Sequence, residues 1–131
     1  TNSIDVMNIL AEEPGISLVS LGGNYRKEAG SFLGPIAIES LKNFQIETCF
    51  LGTTGILSRG TFSAQNIMES QLKQQVLEVS GRRIILGDST KQGRSAFSVF
   101  ARSSEIDILI TDSNFKNPED LSKLGMEIIL V

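Results

Sequence analysis

A chain of 131 residues with 40% hydrophobic and 21% charged residues has the make-up of one soluble globular domain, long enough to bury on the order of two-thirds of its unfolded surface. No apolar run approaches the roughly 18 residues that span a bilayer, and Thr1–Glu13 lacks the basic start of a signal peptide. A net charge of −3 with no basic window excludes a concentrated nucleic-acid footprint, one cysteine (Cys49) excludes an internal disulfide, and the absence of histidine removes the usual zinc ligand and the commonest general acid/base.

Thr1-Asn2-Ser3 is a capping triplet for a helix over Ile4–Glu13, where Val6, Ile9 and Leu10 form one face and Pro14-Gly15 ends it. Ile16–Leu21 alternates like a strand. Gly22-Gly23-Asn24 is a turn, and Tyr25–Gly30 is polar and irregular. Pro35 suits a first helical turn, with Ile36, Ile38, Leu41 and Phe44 at near-helical spacing. Ile46–Leu51 is a strand that runs into the glycine-flanked loop Gly52-Thr53-Thr54-Gly55. A loop around Ser58-Arg59-Gly60 leads to a longer helix from about Ala64 to Val79. Its stripe is Met68, Leu72, Val76 and Val79, and Gly81 sits where a terminating glycine belongs.

Ile84–Leu86 is a buried strand that stops at Gly87-Asp88-Ser89-Thr90-Lys91-Gln92-Gly93. Ser95–Ala101 is a further strand, and Ile106–Thr111 is an apolar strand ending at Asp112. Asn117-Pro118-Glu119-Asp120 opens a short helix with a capping residue, a proline and acids in the first turn; Gly125 closes it. Met126–Val131 is a last strand. Strands alternate with helices and are mostly apolar, so the expected class is α/β with a mostly parallel sheet flanked by helices. Ligands of such sheets bind past the carboxyl ends of strands, where the loops Gly52–Gly55, Asp88–Gly93 and Asp112–Asn114 gather if their strands are parallel neighbours.

Each loop has a functional and a plain reading. Gly52, Thr53, Thr54 and Gly55 can cradle a phosphate through backbone amides and hydroxyls, or form an ordinary turn. Glu69 and Lys73, four apart, rim a cleft or make an exposed helix pair of about 0.3–0.5 kcal/mol. Asp88 and Lys91 bind a ligand's hydroxyls and anion, or make an Asx turn beside a solvated lysine. Gly23 and Arg26 are accessory anion contacts or surface loop. Asp107 and Asp112 read as ends of local structure, and Cys49 as a small buried apolar residue. Nothing suggests a metal.

These stretches in this order resemble the C-terminal effector-sensing domain of DeoR-type sugar-metabolism repressors. The resemblance is carried by Gly22-Gly23-Asn24-Tyr25-Arg26, Ser31-Phe32-Leu33-Gly34-Pro35, Phe50–Ile56, Glu69–Lys73, Leu86–Lys91 and Ile106–Asp112. It implies a fold akin to ribose-5-phosphate isomerase and CoA-transferase domains, and a phosphorylated sugar or related metabolite as effector. It implies a cytoplasmic homo-oligomer without a cofactor. By position it places Gly52–Gly55, Glu69, Lys73, Asp88 and Lys91 in the effector cleft. It further implies a first strand and glycine-threonine loop ahead of Thr1. Residues 1–131 are thus expected to be an N-terminally truncated sensor domain, with DNA contacted only by a winged helix-turn-helix outside this chain. The alternative is a sugar-phosphate isomerase-like enzyme with Glu69 as base. It is disfavoured because the related isomerases carry carboxylates at the counterpart of Thr53-Thr54, and hydroxyls are no general base near pH 7.

Overall fold

A computed structural model describes all of residues 1–131. The chain packs as two compact units, Thr1–Phe44 and Gln45–Val131.

In the first unit, Ser3 caps helix α1 (Ile4–Ala11) by accepting from the Val6 N–H, as the capping triplet implies. The apolar face read there is not buried: Val6 and Ile9 are exposed. Ile16–Leu21 forms no strand. Its main chain bonds instead to Thr1, the Leu21 N–H donating to the Thr1 carbonyl and the Thr1 main-chain nitrogen to that of Val19. Alternation makes a strand only where a ladder partner exists. One strand of this unit lies in the stretch read as turn and irregular: β1 (Asn24–Arg26) pairs antiparallel with β2 (Ser31–Leu33), which follows that stretch, around a 3-10 turn. Cross-strand packing of Tyr25 on Phe32, 5.5 Å between ring centres, supports that hairpin. Helix α2 (Pro35–Leu41) starts on Pro35 and buries Ala37 and Leu41.

The second unit is the α/β body. Strands β3 (Ile46–Gly52), β6 (Ser80–Leu86), β8 (Ile108–Thr111) and β9 (Glu127–Leu130) form a fully parallel sheet in the order β3-β6-β8-β9. The mostly parallel sheet is therefore as expected. A second sheet is not foreshadowed: β4 (Gly55–Leu57), β5 (Thr61–Ala64) and β7 (Ser98–Arg102) are antiparallel. Gly55 thus opens a strand rather than closing a loop. The stretch Ser95–Ala101 enters this sheet only from Ser98.

Helix α3 (Ile67–Glu78) begins later than its apolar spacing suggests, because Thr61–Ala64 is taken by β5 and Asn66 is the cap. Ser70, Leu72 and Leu77 make its buried side, while Met68 is exposed. Gly81 does not end it; that residue lies inside β6, close to the Glu47 carbonyl. Helix α4 (Pro118–Ser122) has the expected proline, but Asn117 makes no side-chain cap and sits at φ 50. The core lies between the two sheets and α3, built from Cys49, Ile56, Phe62, Leu77, Ile85, Phe100 and Leu109 among others.

Candidate functional site

Register sets the site. Gly52 pairs with Leu86, and Leu86 with Ile110. The carboxyl ends of β3, β6 and β8 therefore stand side by side, and their loops share one sheet edge. This is the edge at which an open α/β sheet binds its ligand.

The first loop is held from below. Thr53 is buried, and its hydroxyl faces two carbonyls, Gly55 at 3.0 Å and Ser63 at 3.2 Å. The Thr54 N–H donates to the same Ser63 carbonyl at 2.9 Å, whereas the Thr54 side chain has no protein partner. Ser63 Oγ accepts from the Ala96 N–H at 2.9 Å. Ser63 is thus the post on which this loop hangs; it lies in the lead-in to the helix expected from about Ala64, a stretch to which the sequence reading assigns no role. Gly55 is required by sterics: a Cβ there would sit 2.4 Å from the Arg94 carbonyl oxygen. Gly52 has open space around it.

The second loop is a 3-10 turn, Ser89–Lys91. Asp88 caps it, accepting from the Thr90 N–H at 2.9 Å and from the Thr90 hydroxyl. These bonds, hydroxyl first, hold the Asp88 carboxyl below its ordinary range, with a smaller contribution from the Lys91 charge. The Asx-turn reading of Asp88 is realised. Lys91 closes the turn and has no ion-pair partner within 4 Å, so its ammonium is available to an anion.

The third loop supplies what the sequence left as an end residue. Asp112 accepts from the Ser89 N–H at 2.5 Å and from the Asn114 N–H at 2.9 Å. Those two bonds lower its pKa to about 2. Gln92 adds a reciprocal amide bridge with the main chain of Lys116, 2.5 Å and 2.8 Å. Asp107, likewise an end residue, accepts from the Arg83 N–H at 2.7 Å.

Glu69 and Lys73 meet each other on α3. Their ion pair is 2.5 Å long, only 22% and 14% exposed at the two side chains, and Lys73 Nζ stands 5.0 Å from the centre of the Phe100 ring. This is the helix pair that the spacing suggests, but sunk against β7 rather than in solvent. No hydrogen bond or ion pair links it to the Asp88–Lys91 turn. Gly23 and Arg26 belong to the first unit. There a Cβ on Gly23 would come within 2.7 Å of the Leu33 carbonyl oxygen, and Arg26 pairs with Glu28 at 3.5 Å.

A cavity of about 390 Å³ lies elsewhere in the second unit, lined by Gln74, Leu77, Glu78, Arg83, Phe100 and Glu105. Two carboxylates against one guanidinium do not suit an anion. At the strand ends, by contrast, both aspartates are occupied by main-chain N–H groups and one lysine is free.

The sequence model of the family described as the DeoR C terminal sensor domain matches residues 1–113. The chain is 37% identical to a protein of Escherichia coli O157:H7 described as an aga operon transcriptional repressor, over 100% of this chain and 49% of that protein. It is 32% identical to the HTH-type transcriptional repressor GlcR of Bacillus subtilis, over 99% of this chain and 51% of the relative. It is 31% identical to the HTH-type transcriptional regulator UlaR of Shigella dysenteriae, over 100% and 52%. The chain spans about half the length of these relatives. No helix is long and apolar enough to cross a membrane.

Proposed function

Since this chain belongs to the DeoR C-terminal sensor domain family, we propose that it is the effector-sensing part of a sugar-responsive transcriptional repressor. The effector is a phosphorylated sugar or related metabolite, bound where the loops after β3 and β6 meet. Lys91 neutralises its anionic group, and the Gly52–Gly55 backbone and the Thr54 hydroxyl supply further donors. Glu69 and Lys73 rim the same cleft from α3. Binding at this edge biases the sensor between two arrangements and so controls DNA contact by a helix-turn-helix domain outside residues 1–131, in a cytoplasmic homo-oligomer. A ligand shifts that balance only by its difference in affinity for the two arrangements.

The reading is carried by one observation: an unpaired lysine at a glycine-rich strand end whose neighbouring carboxylates are already occupied. The same occupancy speaks against catalysis. Asp88 and Asp112 are held ionised below the ordinary carboxylate range, Glu69 is bound to Lys73, and there is no histidine. The two aspartates are therefore not poised to exchange a proton near pH 7. The test is thermal-shift and operator-binding measurement of the intact protein with hexose and pentose phosphates. Stabilisation by at least one, with a change in operator affinity, is expected. No stabilisation and unchanged operator binding would overturn the reading.

A further inference from the structure

Lys91 lies on a turn of only three residues, and a short turn carries an anion site only if something fixes it. The structure shows two braces, one on each side. Upstream, Asp112 at the end of β8 receives the N–H of Ser89, the first residue of the turn. Downstream, the Gln92 amide exchanges two hydrogen bonds with the Lys116 main chain. Asp88 stiffens the turn internally through Thr90.

Asp112 is unlike Asp88 in its reach. Asp88 bonds within its own loop, while Asp112 joins two loops that are 23 residues apart in sequence. Its second oxygen is anchored by the Asn114 N–H, two residues on. Both oxygens are therefore engaged with main-chain donors, and the carboxylate is fixed from its own side before it holds Ser89. A carboxylate so employed is no ligand for a phosphorylated molecule. Its negative charge is spent on amide donors, and its work is geometric.

We propose that Asp112 is the positioning residue of the anion site, pinning the Ser89–Lys91 turn to the end of β8 so that the Lys91 ammonium is presented at the shared sheet edge. This rests on the effector reading given above. It assigns to Asp112 a role that acts only through Lys91. A bridge between adjacent strand ends costs no ordering when ligand arrives, which is the advantage of a preorganised site. Without the carboxylate, the Ser89 N–H turns to water, and the turn samples positions in which Lys91 no longer meets the anion.

The experiment is a double-mutant cycle in the intact protein, titrated calorimetrically with glucose 6-phosphate, ribose 5-phosphate and inorganic phosphate. Asp112→Asn keeps the size but can offer only one acceptor. It is expected to weaken binding at least about tenfold when Lys91 is present, and less than about twofold in a Lys91→Ala background. A merely structural aspartate would cost the same factor in both. Should Asp112→Asn not fold, Asp112→Glu moves the carboxylate by one methylene and is subject to the same comparison. Unchanged affinity in the variant, or equal losses in the two backgrounds, would overturn the positioning role while leaving the effector reading intact. Failure of the wild-type protein to bind any of the three would remove both.

Discussion

Gly87 lies directly against Thr53. A Cβ at Gly87 would stand 2.9 Å from Thr53 Cγ2 and 3.0 Å from Ile56 Cδ1. The loops after β3 and β6 therefore meet closely at Gly87, and the absence of a side chain there permits it. Thr53 is buried and bonded to two carbonyls and Ile56 is fully buried, so neither side chain has free room to retreat. Gly87→Ala is expected to cost about 1–3 kcal/mol as local overpacking, measured by denaturant unfolding, and to weaken effector binding because it parts the two loops. Gly52→Ala meets nothing within 4 Å. It should leave stability within about 0.5 kcal/mol and lower effector affinity, since the proposed effector meets that backbone; unchanged affinity would remove Gly52 from the site.

Ser63 holds the first loop from β5. Ser63→Ala leaves the Ala96 N–H without its acceptor in a partly buried place. A loss of about 1–3 kcal/mol is expected, read as a lower denaturation midpoint at unchanged slope. An unchanged midpoint would mean that water replaces the hydroxyl.

How much of this was legible differs from loop to loop. The parallel sheet and the strand-end position of Asp88–Lys91 follow from short apolar runs that stop at polar residues, a pattern set by local chemistry. The antiparallel sheet was not legible. β4 and β5 are three and four residues long, too short for a period to show, and Thr61–Ala64 falls where the lead-in loop meets the helix expected from about Ala64. Ser63 was lost with it. Asp112 reads as an end residue and directly follows β8, but its bond to Ser89 depends on β6 and β8 being neighbours, which no local pattern states. Ile16–Leu21 differs in the opposite sense, since its alternation is real but no strand pairs with it.

The Glu69–Lys73 pair is mostly shielded and stacked on Phe100. Glu69→Gln is expected to lower stability by about 1–2 kcal/mol, between an exposed and a fully buried pair. Neither protein should turn over a pentose or amino-sugar phosphate in a coupled isomerase assay. Turnover in the wild type that disappears in the variant would restore Glu69 as a base.

Asp112 also sets an acid response. Its pKa is lowered from 3.8 to about 2 by the Ser89 and Asn114 N–H groups, so its contribution to stability is fully present above 3.8 and is lost as pH falls through about 2. Asp88, shifted in the same direction, adds to that limb. Asp112→Asn should flatten the acid limb of a stability-versus-pH curve in this window and leave its neutral region parallel to wild type. An acid limb identical in the two proteins would show that the carboxylate is not bonded in solution as in the structure.

Lys91 is the residue on which the sensing role turns. Calorimetric titration of the intact protein and its Lys91→Ala variant with glucose 6-phosphate and ribose 5-phosphate is the most direct measurement. Wild-type binding to one of them is expected, weakened in the variant by about 1.5–3 kcal/mol, the worth of a charged hydrogen bond, with both proteins unfolding at the same temperature. Equal affinity of the two proteins for every sugar phosphate that binds would contradict the assignment of this loop as the anion site.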